Sequence, residues 1–115
     1  MSKLLIYIGK DQAFDPDVVV QAILKLDGID NAHRGKFIGA VFECTYSMYG
    51  RSTIIRLSEE LETITVEGLG REAMEFAVRF QKNMLIPLRL IDMDYNFDLA
   101  LDDFSTGDDL MAAIR

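Results

Sequence analysis

Tryptophan is absent from this 115-residue chain, and cysteine, histidine and proline nearly so, with one Cys, one His and two Pro. A lone cysteine excludes an internal disulfide framework, and one Cys with one His leaves no soft-ligand set for a structural zinc site. An unpaired Cys44 fits a reducing compartment, so a cytoplasmic location is expected. Long apolar runs are missing as well. The amino end offers only Leu4 to Gly9, too short for a signal-peptide core or a bilayer span, so neither export nor membrane association is expected. The last quarter also lacks positive charge: residues 91–114 hold seven Asp and neither Lys nor Arg, whereas residues 1–90 hold 12 acidic and 11 basic side chains. The net charge of −7 therefore arises in the carboxyl-terminal quarter. Such a surface repels nucleic acid and anionic membrane and attracts basic partners.

What is present is half hydrophobic and describes one α+β domain over residues 1–115. Lys3 to Gly9 is a short apolar run, expected as a buried central strand. Asp15, Pro16 and Asp17 read as N-cap, first helical residue and an acid facing the helix dipole. That helix is expected to run to Leu26, with Val19, Ile23 and Leu26 inward and Gly28 as its left-handed end. Residues 36–67 read as three strands. In the first, Lys36 to Tyr46, one face carries Ile38, Ala40, Phe42 and Cys44, and the turn is Tyr46 to Gly50. The next two pair favourably when Arg51 meets Glu67, Thr53 meets Thr65, Ile54 meets Ile64, Arg56 meets Glu62 and Leu57 meets Leu61, around a loop at Ser58 to Glu60.

Gly68 and Gly70 close that strand, Arg71 to Asn83 carries Ala73, Phe76, Ala77 and Phe80 at helical spacing, and from Leu85 the chain reads as a strand again. From Ile91 to Asp102 the period-2 pattern is unbroken, with Asn96 and Ala100 completing the face that four Asp dominate. This predicts one strand with Ile91, Met93, Tyr95, Phe97, Leu99 and Leu101 inward and Asp92, Asp94, Asp98 and Asp102 on a wet face. Thr106 and Asp109 form a capping box for a short terminal helix. The architecture expected from this order is a two-layer, ferredoxin-like sandwich: a mixed sheet of about five strands, two helices on one face and a short C-terminal helix. Phe37 and Val41 then fall on the uncovered face, leaving apolar surface for a partner.

Four constellations touch on chemistry. Tyr7 within Ile6–Lys10 imitates a base-stacking strand, but the companion segment Arg34–Ile38 has Lys36 where an aromatic is needed. Gly68-Leu69-Gly70-Arg71-Glu72-Ala73, with Asp92 further on, has the outline of a dinucleotide fingerprint, yet its strand is wet on one face and no second nucleotide-binding half follows. Asp92-x-Asp94-x-Asn96, with Asp98 and Asp103, imitates a calcium loop, but Phe97 stands where a sharply turning glycine is required. Cys44 and His33 are the only nucleophile-and-base pair of that type, but Cys44 is set among apolar neighbours and His33 falls in the polar loop Asn31 to Gly35. Glu59, Glu60 and Glu62 read as surface charge. No cofactor and no metal is expected.

The resulting expectation is a non-enzymatic protein-binding module, of inhibitor or immunity type. It would cover a basic surface on its partner with Asp92, Asp94, Asp98, Asp102 and Asp103. The alternative is a dimeric α+β barrel that binds or transforms a small molecule, paired through its open sheet face.

Overall fold

The computed structural model describes residues 3–9, 12–37, 39–94 and 96–114. The elements are β1 (Lys3–Tyr7), α1 (Pro16–Leu24), β2 (Ile29–Phe37), β3 (Ala40–Met48), β4 (Arg51–Ser58), β5 (Thr63–Glu67), α2 (Arg71–Lys82), β6 (Arg89–Asp92) and β7 (Asp98–Ala100). A 3-10 turn at Leu101–Asp103 and α3 (Gly107–Ile114) follow. The strands form one seven-stranded sheet in the order β2-β3-β4-β5-β1-β6-β7, and every neighbouring pair is antiparallel.

This corrects the ferredoxin-like expectation of a mixed five-stranded sheet. Two segments make the difference. Asn31 to Gly35, expected as a loop, belongs to edge strand β2, which pairs with β3 through two register shifts. Its polar, irregular sequence carries no alternation to betray a strand, because an edge strand with bulges has little apolar surface to bury. Ile91 to Asp102, expected as one strand, is instead a hairpin of β6 and β7. Ile38 and Tyr95, both expected to face the core, lie outside the described residues, as do the side chains of Lys36 and Phe37.

The β4–β5 register also differs from the expected one. Ile55 meets Val66, Arg56 meets Thr65 and Leu57 meets Ile64. In this register buried residues oppose buried residues, whereas the expected one placed Ile54, which is exposed, against Ile64, which is not. Burial outweighs the individual cross-strand pairs, because a slip moves every side chain to the other face. The connection grows to Glu59–Glu62, with Leu61 at φ 61°.

One core unites the sheet and the helices. Leu4 and Ile6 of β1, Phe42, Cys44 and Tyr46 of β3, Ile55 and Leu57 of β4, Ile64 and Val66 of β5 and Leu90 of β6 are buried against Val19 and Ile23 of α1 and Ala73, Phe76, Ala77 and Phe80 of α2. Phe76 stacks on Phe80 at 5.7 Å between ring centroids and meets the edge of Tyr46 at 5.5 Å. The amino-terminal caps behave as the sequence requires, Asp15 accepting from the amides of Asp17 and Val18 and Thr106 Oγ1 from Asp109 N at 3.1 Å, whereas the carboxyl cap of α1 is Lys25 and not the expected Gly28. α1 ends two residues earlier than expected, at Leu24. α3 docks on α2 through Gly107, whose N–H donates to Glu75 Oε1 at 3.2 Å, and through Arg71, which grips Asp108 at 2.8 and 3.0 Å. Beside that guanidinium the Asp108 carboxyl is held below its usual range.

Gly28 has φ +91°, and a Cβ there would collide with the carbonyl oxygen of Ser47, whose N–H donates to Gly28 O at 2.9 Å. Gly28→Ala therefore combines left-handed strain with a backbone clash. It should lower unfolding free energy in a urea titration by about 2 kcal/mol or more.

Candidate functional site

The acidic carboxyl-terminal segment is not a row. Leu90 and Asp92 are the core-facing residues of β6, so Asp92 points inward and is 3% exposed. Its carboxylate is satisfied locally: Oδ1 accepts from Asn96 N at 2.6 Å and Oδ2 from Asn96 Nδ2 at 2.9 Å, which closes the β6–β7 turn. Asp94 lies exposed in that turn. Asp98 is exposed on β7 but engaged. Arg89 Nε reaches its Oδ1 at 2.7 Å and Tyr7 Oη donates to Oδ2 at 3.0 Å. Asp102 and Asp103 lie exposed in the 3-10 turn, at the other end of the hairpin from Asp94. A strand was expected to align these carboxylates; the turn that Asp92 itself closes breaks the period and turns Asp92 inward.

The same placement answers the calcium-loop resemblance, because Asp92, Asp94, Asp98 and Asp103 diverge. Among the described residues no group of three or more His, Cys, Asp or Glu side chains is placed to hold a metal ion. At the start of α2, the Glu72 carboxylate folds back over Gly70, where a Cβ would strike it. An anion of the protein's own thus sits at the helix end that a pyrophosphate would need, and like charge disfavours that ligand. Glu72 is 7% exposed, and its Oε2 has no hydrogen-bond partner among the described residues.

His33 pairs with Glu43 across β2 and β3 and is exposed, whereas Cys44 faces the core at 1% exposure. The two side chains therefore lie on opposite sides of the sheet, and burial pushes the Cys44 thiol up to about 12. Tyr7, weighed as a base-stacking residue, is on the uncovered sheet face with its hydroxyl on Asp98; burial is the first cause that raises its pKa, followed by that hydrogen bond. The uncovered face is laced with charge pairs. Arg56 binds Glu43 at 2.8 Å and Glu67 at 3.0 Å, and Lys3 reaches Glu67 at 3.5 Å.

The feature missed from sequence is the segment between α2 and β6. The strand expected to resume at Leu85 begins only at Arg89; Met84 packs partly against the core, but the stretch from Leu85 to Pro87 projects into solvent, with Leu85 fully exposed and Ile86 40% exposed. Gln81 holds it there. The side-chain amide, 8% exposed, donates to Ile86 O at 2.9 Å and accepts from Leu88 N at 2.7 Å, replacing the pairing a strand would supply. Pro87, which cannot donate, is the one sequence signal that pairing fails here. The ridge separates two grooves. One, of about 640 Å³, lies towards α1 and is lined by Ile8, Val18, Gln21, Ala22 and Leu85 among others. The second, about 460 Å³, lies towards the 3-10 turn and includes Lys82, Ile86, Asp102 and Phe104. Of the predicted acids, only Asp102 lines either groove.

Comparison with protein-family models, curated protein sequences and solved structures finds no match to this chain.

Asp92→Asn would put an amide donor against the donors of Asn96, leaving a buried group unsatisfied. It should cost roughly 1–3 kcal/mol in urea denaturation, whereas Asp94→Asn should fall within about 0.5 kcal/mol of wild type. Burial that keeps Cys44 protonated should also make it unreactive. Iodoacetamide at about pH 8 should label it only as fast as the protein unfolds, and rapid labelling of the native protein would contradict the buried placement.

Proposed function

We propose that this chain is a protein-binding module that acts inside a reducing compartment by covering a basic surface on its partner, as an inhibitor or immunity-type protein does. The observation that carries the proposal is the juxtaposition of Asp102 with the projecting Leu85–Ile86 pair across the smaller groove, with Asp103 exposed next to it in the chain. Large apolar side chains held out in solvent beside charge have the composition of a protein-docking patch, in which an apolar centre is ringed by polar groups that exclude water. Charge distribution supports the same place. Arg56, Lys3 and Arg89 neutralise acids of the sheet face, and Arg71 neutralises Asp108. Asp94, Asp102, Asp103 and Asp109 form no ion pair among the described residues.

The proposed site is therefore smaller than the five acids expected. Asp102, which shares the groove with Lys82, and the neighbouring Asp103 form its acidic part, Asp94 adds to the long-range field, and Asp92 and Asp98 serve the hairpin. The charges act mainly on encounter rate, the apolar ridge on residence time. The small-molecule barrel alternative is not carried forward, because the sheet face through which it would pair is crossed by the Arg56–Glu43, Arg56–Glu67 and Arg89–Asp98 bridges.

Partners captured on immobilised protein from native lysate provide the test. Asp102→Asn with Asp103→Asn should leave the melting curve unchanged and weaken a captured partner at least about tenfold, or 1.4 kcal/mol, with wild-type association slowing as salt rises past about 0.15 M. A partner that binds wild type and variant equally at low salt, or that presents an acidic surface, would refute it.

A further inference from the structure

The exposed side of α1 carries an order of side chains that is complementary to itself. Asp17, Gln21 and Lys25 stand four residues apart, so they form one inclined row on the helix, with Val18 and Leu24 beside it. All five are exposed, Val18 and Leu24 each at 49%, while Val19, Val20, Ala22 and Ile23 turn to the core. Read in one direction the row is acid, amide, base; read from the other end it is base, amide, acid. A second α1 laid antiparallel over Gln21 therefore sets Asp17 of each copy against Lys25 of the other. The two Gln21 amides meet at the dyad, where each can donate and accept.

We propose that this face is an interface between two copies of the chain. The occupant is a second copy because the charge order asks for its own reverse. Helices that pack along their four-residue rows cross at about −50°, a common geometry for helix pairs. Arg34 holds only Oδ1 of Asp17, at 2.8 Å. The groove of about 640 Å³ on the Val18 side of the row, walled on its far side by Met84, Leu85 and Ile86, accepts the Val18 side chain of the mate. The contact is isologous and closes as a two-fold dimer without leaving a free end. It lies on the helical layer, not on the open sheet face expected from sequence. A nine-residue helix with one groove wall falls short of the roughly 800 Å² per partner of a standard interface, so the dimer is a weak one, with a Kd on the order of 10–100 μM.

Sedimentation velocity from about 1 to about 300 μM at roughly 0.15 M salt, with circular dichroism to verify folding, tests this. Wild type should pass from monomer to dimer across that range. Lys25→Asp alone and Asp17→Lys alone each place like charges opposite one another, and each should raise Kd at least about tenfold. Mixed in equal amounts, the two variants restore both opposite-charge pairs and should associate with each other as wild type does with itself. A wild type that stays monomeric throughout would overturn the proposal and leave the groove to a partner of different sequence. Dimers indifferent to both substitutions, or folded variants whose mixture fails to associate, would overturn it equally.

Discussion

β1 has to be enclosed on both sides by strands that come much later in the chain, and the remaining architecture follows from that constraint. Lys3 meets Glu67 on one flank and Leu4 meets Asp92 on the other, while Leu4 and Ile6 are wholly buried. Neither flank can be supplied by a neighbouring hairpin. β5 arrives at the end of the meander β2-β3-β4-β5, and β6 arrives only after α2 has carried the chain across β1. The entropy of closing such long loops grows only logarithmically, but it is lost before any contact repays it. The meander and the Phe76–Phe80 stack on Tyr46 supply that repayment. They give β1 an apolar floor to settle on.

The crossing of α2 to β6 also explains the projecting ridge. A helix that ends at Lys82 over one side of β1 must deliver a strand to the other side, and the six residues between belong to no strand. Gln81 substitutes for one by satisfying a carbonyl and an amide with a single buried side chain. The apolar residues Leu85 and Ile86 are then held in water by polar bonds made to their neighbours and themselves, a conflict between local bonding and hydrophobic burial that a bound protein would relieve.

Local chemistry was legible in the sequence wherever one residue type has one use. Asp15 before Pro16, Thr106 three residues before Asp109, and the apolar stripe of α2 all fold as their physics requires. Alternation misled where two periods were joined. Leu90 and Asp92 share the inward face of β6, and the turn at Asn96 shifts the phase before Asp98, so a pattern that looks continuous from Ile91 to Asp102 belongs to two short strands facing each other. β2 failed for the opposite reason. Its exposed run from Asp30 to Gly35 and the left-handed Asn31 leave no pattern to read. The acidic composition pointed to the right quarter of the chain, but which carboxylates remain open depended on where Arg89 and Asn96 fall in space, and spacing along the chain carries no such information.

Both borders of the sheet are poor templates. β2 is kinked twice and studded with Asp30, His33 and Arg34, and β7 is only three residues long. A foreign peptide seeking to lengthen the sheet by one more strand would find few aligned amides and carbonyls at either end, so backbone-directed annexation, the sequence-indifferent route to recognition and to amyloid alike, is disfavoured here. Selection then falls to side chains. Recognition of that kind is discrete: single substitutions can retarget it while the sheet beneath stays as it is.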